Sequence, residues 1–200
     1  MFESIDKYQA LIFDMDGTII DTMPAHLKAW KQTANYYEFP FCKQWLHSLG
    51  GMPSYKIAAE VNKKYNLDLE PMAVSRYKMA AFASLDEHGE PIECTVKVLN
   101  HFCGKKKLAV GTGSQRTNAE KLLTKAQLID KLDAVVTASD VINHKPNPDT
   151  FLQAARLLDV CASECLVFED TELGLQAAHS AKMDCMMVEG GELVFYPYHQ

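Results

Sequence analysis

Residues 10–22 read ALIFDMDGTIIDT: four apolar side chains run straight into three aspartates, Asp14, Asp16 and Asp21, with a glycine among them. An apolar run of this length reads as a strand buried on both faces. Asp14 therefore stands where that strand ends. Asp21 alone fits a solvated loop, but an ionised carboxylate adjoining four apolar residues is costly unless a cation meets it. Asp14 and Asp16 lie two apart, which in extended chain puts both side chains on the same side. They repel there, so either a cation sits between them or one keeps a proton. Such a pair supplies a nucleophile and a general acid in one loop. Gly17 lets the chain turn sharply, and Thr18 adds a hydroxyl beside the pair. Taken alone, the same letters also make an aspartate-rich turn.

Further apolar runs at 108–111, 134–136, 165–168 and 186–188 bring the expected strands to five. Helical spacing fills 117–126, 149–158 and 174–181, with Pro148 a natural first-turn residue. Strands alternating with helices predict an α/β fold, a doubly wound parallel sheet covered on both faces that binds ligands at the carboxyl ends of its strands. Between 23 and 90 no buried strand is evident, whereas Ile57, Val61 and Tyr65, and again Ala29, Trp30 and Thr33, mark helix faces. We therefore expect a helical insertion after the first strand, edged by Pro24 and the polar stretch 86–91. That division gives a core of residues 1–21 and 92–200 and a helical cap of residues 22–91. A lid over the strand ends is its expected use, with a purely structural subdomain as the alternative.

With 20 basic and 26 acidic side chains the formal charge is −6, so nothing invites a polyanion and nucleic acid is not an expected partner. The opening MFESIDKYQA has neither the basic start nor the apolar stretch of a secretory signal. No apolar run approaches the ~18 residues of a membrane span. The six cysteines, at 42, 94, 103, 161, 165 and 185, are scattered and form no CxxC pair. The expectation is a reduced, cytoplasmic protein with no membrane partner.

Three further strand ends carry chemistry. After the second run, Gly111-Thr112-Gly113-Ser114 sets a hydroxyl between glycines whose exposed amides suit phosphate oxygens. After the third, residues 143–149 read NHKPNPD and hold Lys145 rigidly between turn residues. After the fourth come Glu169 and Asp170, an acidic pair that is expensive beside an apolar strand unless paired. Together with Asp14 it can close a site for a hard cation. Mg²⁺ prefers oxygen ligands, often one or two carboxylates with substrate phosphate and water, and this set provides them. Phosphate would then be gripped by Mg²⁺, Lys145, Thr112 and the loop amides.

In this order FDMDGT, VGTGS, HKPNPD and FEDTELG resemble the four motifs of the haloacid dehalogenase superfamily of phosphatases and phosphomutases, across essentially the whole chain. The resemblance implies a HAD-like Rossmannoid core in which Asp14 attacks phosphorus to form an aspartyl phosphate. It implies that Asp16 protonates the leaving oxygen and then activates water. Thr112 would hydrogen-bond the phosphoryl group, Gly17, Thr18, Gly113 and Ser114 would line it, and Lys145 would neutralise its charge. Asp14, Asp170 and the backbone carbonyl of Asp16 would bind Mg²⁺, with Glu169 supporting the metal directly or through water. No organic cofactor is called for, and a monomer is the family-like default.

A helical insertion directly after the first motif resembles the β-phosphoglucomutase-like branch, whose members act on small phosphorylated metabolites. The mutase pattern has a basic residue before the cap glycine and an arginine shortly after it, where this chain has Gly50 and Ser54, with Lys56 the only nearby cation. Without a strong second phosphate grip, water is the expected acceptor. The stretch is more similar to the bacterial fructose-1-phosphate phosphatase type. The expected activity is hydrolysis of a small sugar phosphate, fructose 1-phosphate being the candidate, and a β-phosphoglucomutase is the alternative. A signalling receiver is disfavoured by the DxD pair and the large insertion, and a non-catalytic phosphate-binding protein by the presence of Asp14, Asp16, Lys145 and Asp170 together. His26 and Trp30 lie one helical turn apart near Asp16, so His26 either positions the acid or substrate or simply packs. The aromatic segment 193–198 is expected to pack on the core.

Overall fold

The computed structural model describes residues 2–199. In chain order its elements are α1 (Phe2–Ile5), β1 (Ala10–Phe13), α2 (Met23–Tyr36), α3 (Lys43–Ser48), α4 (Ser54–Tyr65), α5 (Pro71–Ala83), α6 (Glu93–Phe102) and β2 (Lys107–Gly111). There follow α7 (Arg116–Lys125), β3 (Ala134–Val136), α8 (Asp149–Leu158), β4 (Cys165–Glu169), α9 (Glu172–Ser180), β5 (Asp184–Glu189) and β6 (Glu192–Tyr196). The strands form one sheet in the order β3-β2-β1-β4-β5-β6, parallel except for β6, which runs antiparallel to β5.

β1 lies inside the sheet, with Phe13 level with Val110 of β2 and Phe168 of β4. All four of its residues are fully buried, which is why the run shows no alternation of polar and apolar letters. Leu11 and Phe13 face one layer, with Val98, Leu99 and Phe102 of α6 and Leu122 and Leu123 of α7. Ala10 and Ile12 face the other, with Phe151 and Leu158 of α8 and Ala177 and Ala178 of α9. The order reverses at β1, since β2 and β4 flank it on opposite sides. The crevice at such a switch point is where an open α/β sheet binds ligands.

Helices α2 to α5 surround a separate apolar cluster that includes Leu27, Trp30, Leu46, Ile57, Val61 and Val74. At their base Ala25, Ala29 and Phe82 join the cluster on the sheet. The two chain crossings run side by side: Asp21 N–H donates to Glu90 O at 2.9 Å and Ile92 N–H to Ile19 O at 2.7 Å.

Two features differ from the sequence reading. Helix α9 starts at Glu172, ahead of the expected 174, because the Thr171 hydroxyl accepts the Gly174 N–H at 3.0 Å and so caps it. The segment after β5 is a sixth strand. Gly190 and Gly191, both at positive φ, make the two-residue turn of a β-hairpin. Leu193 and Tyr196 of β6 pack on the core, while Val194 and Phe195 are exposed. Among the described residues no helix is long and apolar enough to cross a membrane.

Candidate active site

The site lies at the carboxyl ends of β1, β2 and β4, and its centre is a buried lysine. Lys145 is 1% exposed, and its ammonium donates to Asp14 Oδ1 at 2.6 Å, Glu169 Oε1 at 2.6 Å and the Gly111 carbonyl at 3.0 Å. Three donor hydrogens thus meet three acceptors. Burial disfavours the ammonium, but the charges of Asp14 and Glu169 outweigh it and hold the Lys145 pKa above its ordinary value. For Asp14 burial wins. Its carboxyl is pushed up to about 7, with Lys145 pulling down and the charges of Glu169 and Asp16 adding to the rise.

Glu169 is held from the other side too. Its Oε2 accepts the N–H groups of Asp170 and Thr171, at 2.8 and 2.9 Å, and the Thr171 hydroxyl at 3.0 Å. Asp170 Oδ1 accepts the Thr18 hydroxyl at 3.1 Å. Burial, followed by the charges of Glu169 and Asp14, raises the Asp170 carboxyl to about 9. Asp14, Glu169 and Asp170 each bring an oxygen to within 4.8 Å of the others. Among the described residues no hydrogen bond engages Asp14 Oδ2 or Asp170 Oδ2. Gly17 makes the room, since it has φ +95° and a Cβ there would stand 2.2 Å from Asp170 Oδ2. Excess negative charge, free oxygens and a cleared approach fit a hard divalent cation such as Mg²⁺.

Asp16 has separate partners. Its Oδ1 accepts the Thr22 hydroxyl at 2.6 Å and His26 Nε2 at 3.1 Å, and its Oδ2 accepts the hydroxyls of Ser114 at 2.7 Å and Thr112 at 3.2 Å. Behind His26, Lys78 lies 2.7 Å from Nδ1. The ammonium can only donate, so Nδ1 accepts and Nε2 carries the hydrogen offered to Asp16. That makes His26 a neutral imidazole, in keeping with a pKa lowered by burial and by the adjacent Lys78. Burial also brings Lys78 down to about 8. Burial would raise the Asp16 carboxyl, but the field of the His26 side and hydrogen bonds from His26, Thr22 and Ser114 hold it well below the usual range. The two aspartates differ accordingly: Asp14, raised in part by the charge of Asp16, is the one of the pair that keeps a proton more readily. Each has its own cationic partner, Lys145 for Asp14 and the His26–Lys78 pair for Asp16.

Both carboxylates face one cavity between the sheet and helices α2 to α5. Leu27, Trp30, Ile57 and Met79 give it an apolar wall, and Ser54, Ser75, His26 and Lys78 give that wall its polar groups. His26 stacks on Phe82, with ring centroids 4.3 Å apart, so it both packs and bonds to Asp16. Thr112 and Ser114 meet at Asp16, while Thr18 is turned to Asp170. Lys56, the cation expected near Gly50 and Ser54, does not line the cavity. The cation presented there is Lys78, which the sequence reading missed. The signal was available: Val74, Lys78 and Phe82 recur at four-residue steps, so a lysine sits on an apolar helix face, where all three are buried.

Fold and site together define a doubly wound α/β protein with paired carboxylates at the carboxyl ends of its strands. The family model described as haloacid dehalogenase-like hydrolase matches residues 11–188. The fructose-1-phosphate phosphatase YqaB of Escherichia coli (strain K12) is 42% identical over 184 residues, covering 92% of this chain and 97% of its own. A β-phosphoglucomutase of Bacillus subtilis (strain 168) is 31% identical over 192 residues, covering 92% of this chain and 84% of its own. The crystal structure of a β-phosphoglucomutase from Clostridium difficile superposes with a TM-score of 0.83 at 26% identity, over 92% of this chain and 85% of that one. The chain belongs to the haloacid dehalogenase-like hydrolases, and its relatives include both phosphatases and phosphoglucomutases.

Proposed function

We propose that the chain is a Mg²⁺-dependent phosphatase of small sugar monophosphates, with fructose 1-phosphate the first candidate. The observation that carries this reading is the division of labour between the two aspartates. Asp14 keeps one oxygen, Oδ2, free of hydrogen bonds while Lys145 fixes the other, which suits a nucleophile aimed at phosphorus. Asp16 accepts four hydrogen bonds and is ionised, which suits the base that activates water in the second half of the reaction. A phosphoryl group that drew the hydroxyls of Thr112 and Ser114 to its own oxygens would remove two of those bonds. The Asp16 pKa would then rise toward that of an acid able to protonate the leaving oxygen.

Asp14 and Asp170, with the backbone carbonyl of Asp16 and support from Glu169, would hold Mg²⁺. When bound, the ion supplies charge stabilisation to the transferring phosphoryl group. Lys145 adds to it and keeps Asp14 oriented. Residues 22–91 act as a cap that binds the sugar and limits water at the site to the attacking molecule.

The mutase alternative is weaker because the cap side of the cavity offers no arginine, and its buried lysine, Lys78, is already committed to His26. Acid quenching during turnover of a radiolabelled sugar phosphate tests the reading. Label should be trapped on the wild-type protein and absent from Asp14→Asn. Label retained in that variant, or sugar-phosphate hydrolysis that persists in it, places the nucleophile elsewhere.

A further inference from the structure

Residues 50–55 of the helical cap touch the three sheet-side loops that carry the site. A Cβ on Gly50 would lie 3.1 Å from Thr171 Cγ2, and one on Gly51 would lie 3.3 Å from Lys145 Cδ. The ring of Tyr55 meets that of His144 edge-on, at 6.2 Å and 87°. The closest approach is at Gly113, where a Cβ would stand 2.2 Å from the carbonyl oxygen of Gly51 and 2.8 Å from its carbon. Each sheet-side partner either belongs to the site or adjoins it. Gly113 separates Thr112 from Ser114, His144 precedes Lys145, and Thr171 donates to Glu169.

Gly113 is informative because the backbone conformation of its own loop does not require a glycine. Its φ is not positive, so the backbone there accepts any L residue. The three heavy atoms nearest to its absent Cβ all belong to Gly51. A flexible side chain could swing aside, but a backbone carbonyl can retreat only if the segment carrying it moves. Gly51 itself has φ +84° and cannot be replaced without strain.

We propose that Gly113 is a positioning residue: its bare Cα is the seat on which the Gly51 carbonyl rests, and this backbone contact sets how far the cap closes over the loop that holds Thr112 and Ser114. The inference rests on the functional reading only in treating residues 22–91 as a cap. With alanine at 113 the cap stops short, by roughly the 1–2 Å that separates 2.2 Å from an ordinary contact. The loop and the sheet keep their structure, whereas the cavity wall, Trp30 included, is left open to solvent.

The test reads closure without needing catalysis. The chain has two tryptophans, so in a Trp45→Phe background Trp30 alone reports. Acrylamide quenching of Trp30, which is 3% exposed, should be weak in that protein and at least about twofold stronger once Gly113→Ala is added. In parallel, kcat/KM for a sugar phosphate should fall about a hundredfold, the order that a 1 Å misplacement costs, and for a small aryl phosphate that does not reach the cap wall by much less. Unchanged quenching with Gly113→Ala, equal loss on both substrates, or a variant that fails to fold overturns the proposal, since the atoms nearest to that side chain belong to Gly51. If no phosphomonoester is hydrolysed even by the wild type, the functional reading fails while the quenching still decides the seat.

Discussion

Replacing Lys145 by methionine keeps the length of the side chain and removes its charge from between two buried acids. Lys145 makes two charge-assisted bonds of 2.6 Å, to Asp14 and Glu169, in a setting where Glu169 is fully buried and Asp14 is 3% exposed. Each such bond contributes ~1.5–3 kcal/mol, and breaking a buried pair by removing one partner costs ~3–5 kcal/mol because the other charge is stranded. A proton can limit that loss. The Asp14 carboxyl already stands at about 7 with Lys145 pulling it down, so without the lysine it rises further and Asp14 is neutral over a wider range. Lys145, with its pKa raised, is charged throughout. The loss on Lys145→Met should therefore be ~3–5 kcal/mol near pH ~9 and less than ~2 kcal/mol near pH ~5, where protons replace the ammonium. Urea unfolding of both proteins in the presence of a chelator, at the two pH values, measures it. A loss that is the same at both, or below ~1 kcal/mol at the higher pH, would refute the argument that Lys145 is what keeps ionised Asp14 in its buried place.

Further outcomes follow from the same geometry. Asp14 and Asp170 have folded-state pKa values of about 7 and about 9 against an ordinary 3.8, so the folded chain binds more protons than the unfolded one. Their contribution to the stability of chelated protein must fall as pH rises from ~4 to ~9, and Mg²⁺ added near pH ~8 should raise Tm by several degrees; no shift there would contradict the cation site. His26→Ala should lower kcat ~100-fold with little change in KM, because His26 donates to Asp16, and unchanged kinetics would leave it only its stacking on Phe82. In Gly174→Ala the new Cβ would lie 1.8 Å from Glu169 Cδ, so the variant should lose ~1–3 kcal/mol and bind Mg²⁺ more weakly; wild-type stability would mean that Glu169 is not held where the structure puts it.

The sheet was legible because its strands are buried on both faces and read as short unbroken apolar runs, each followed by a polar loop. Strand β6 was not, because it is an edge strand with two exposed large residues, Val194 and Phe195, and so lacks that pattern. The Gly190-Gly191 turn was its available signal. Asp14, Asp16, Thr112, Ser114, Lys145, Glu169 and Asp170 follow strand ends in the sequence, and the parallel sheet brings those ends to one side. The contribution of helices α2 to α5 was harder to read. Lys78 reaches His26 from 52 residues away, across two helices whose packing no local pattern specifies. For the same reason Lys56, close to Gly50 in sequence, was mistaken for the nearest cation. The seat between Gly51 and Gly113 lies between two backbones, and side-chain patterns carry no sign of it.

On the proposed function, phosphate passes from a sugar monophosphate to water. This is tested most directly by following free phosphate and glucose 6-phosphate together, with Mg²⁺ present. One arm uses a panel of sugar phosphates that includes fructose 1-phosphate, and the other uses β-glucose 1-phosphate with a trace of β-glucose 1,6-bisphosphate. Rapid release of free phosphate from at least one sugar is expected, with fructose 1-phosphate the first to try, and loss of that release in Asp14→Asn. Efficient formation of glucose 6-phosphate with little free phosphate would contradict this and make the protein a mutase.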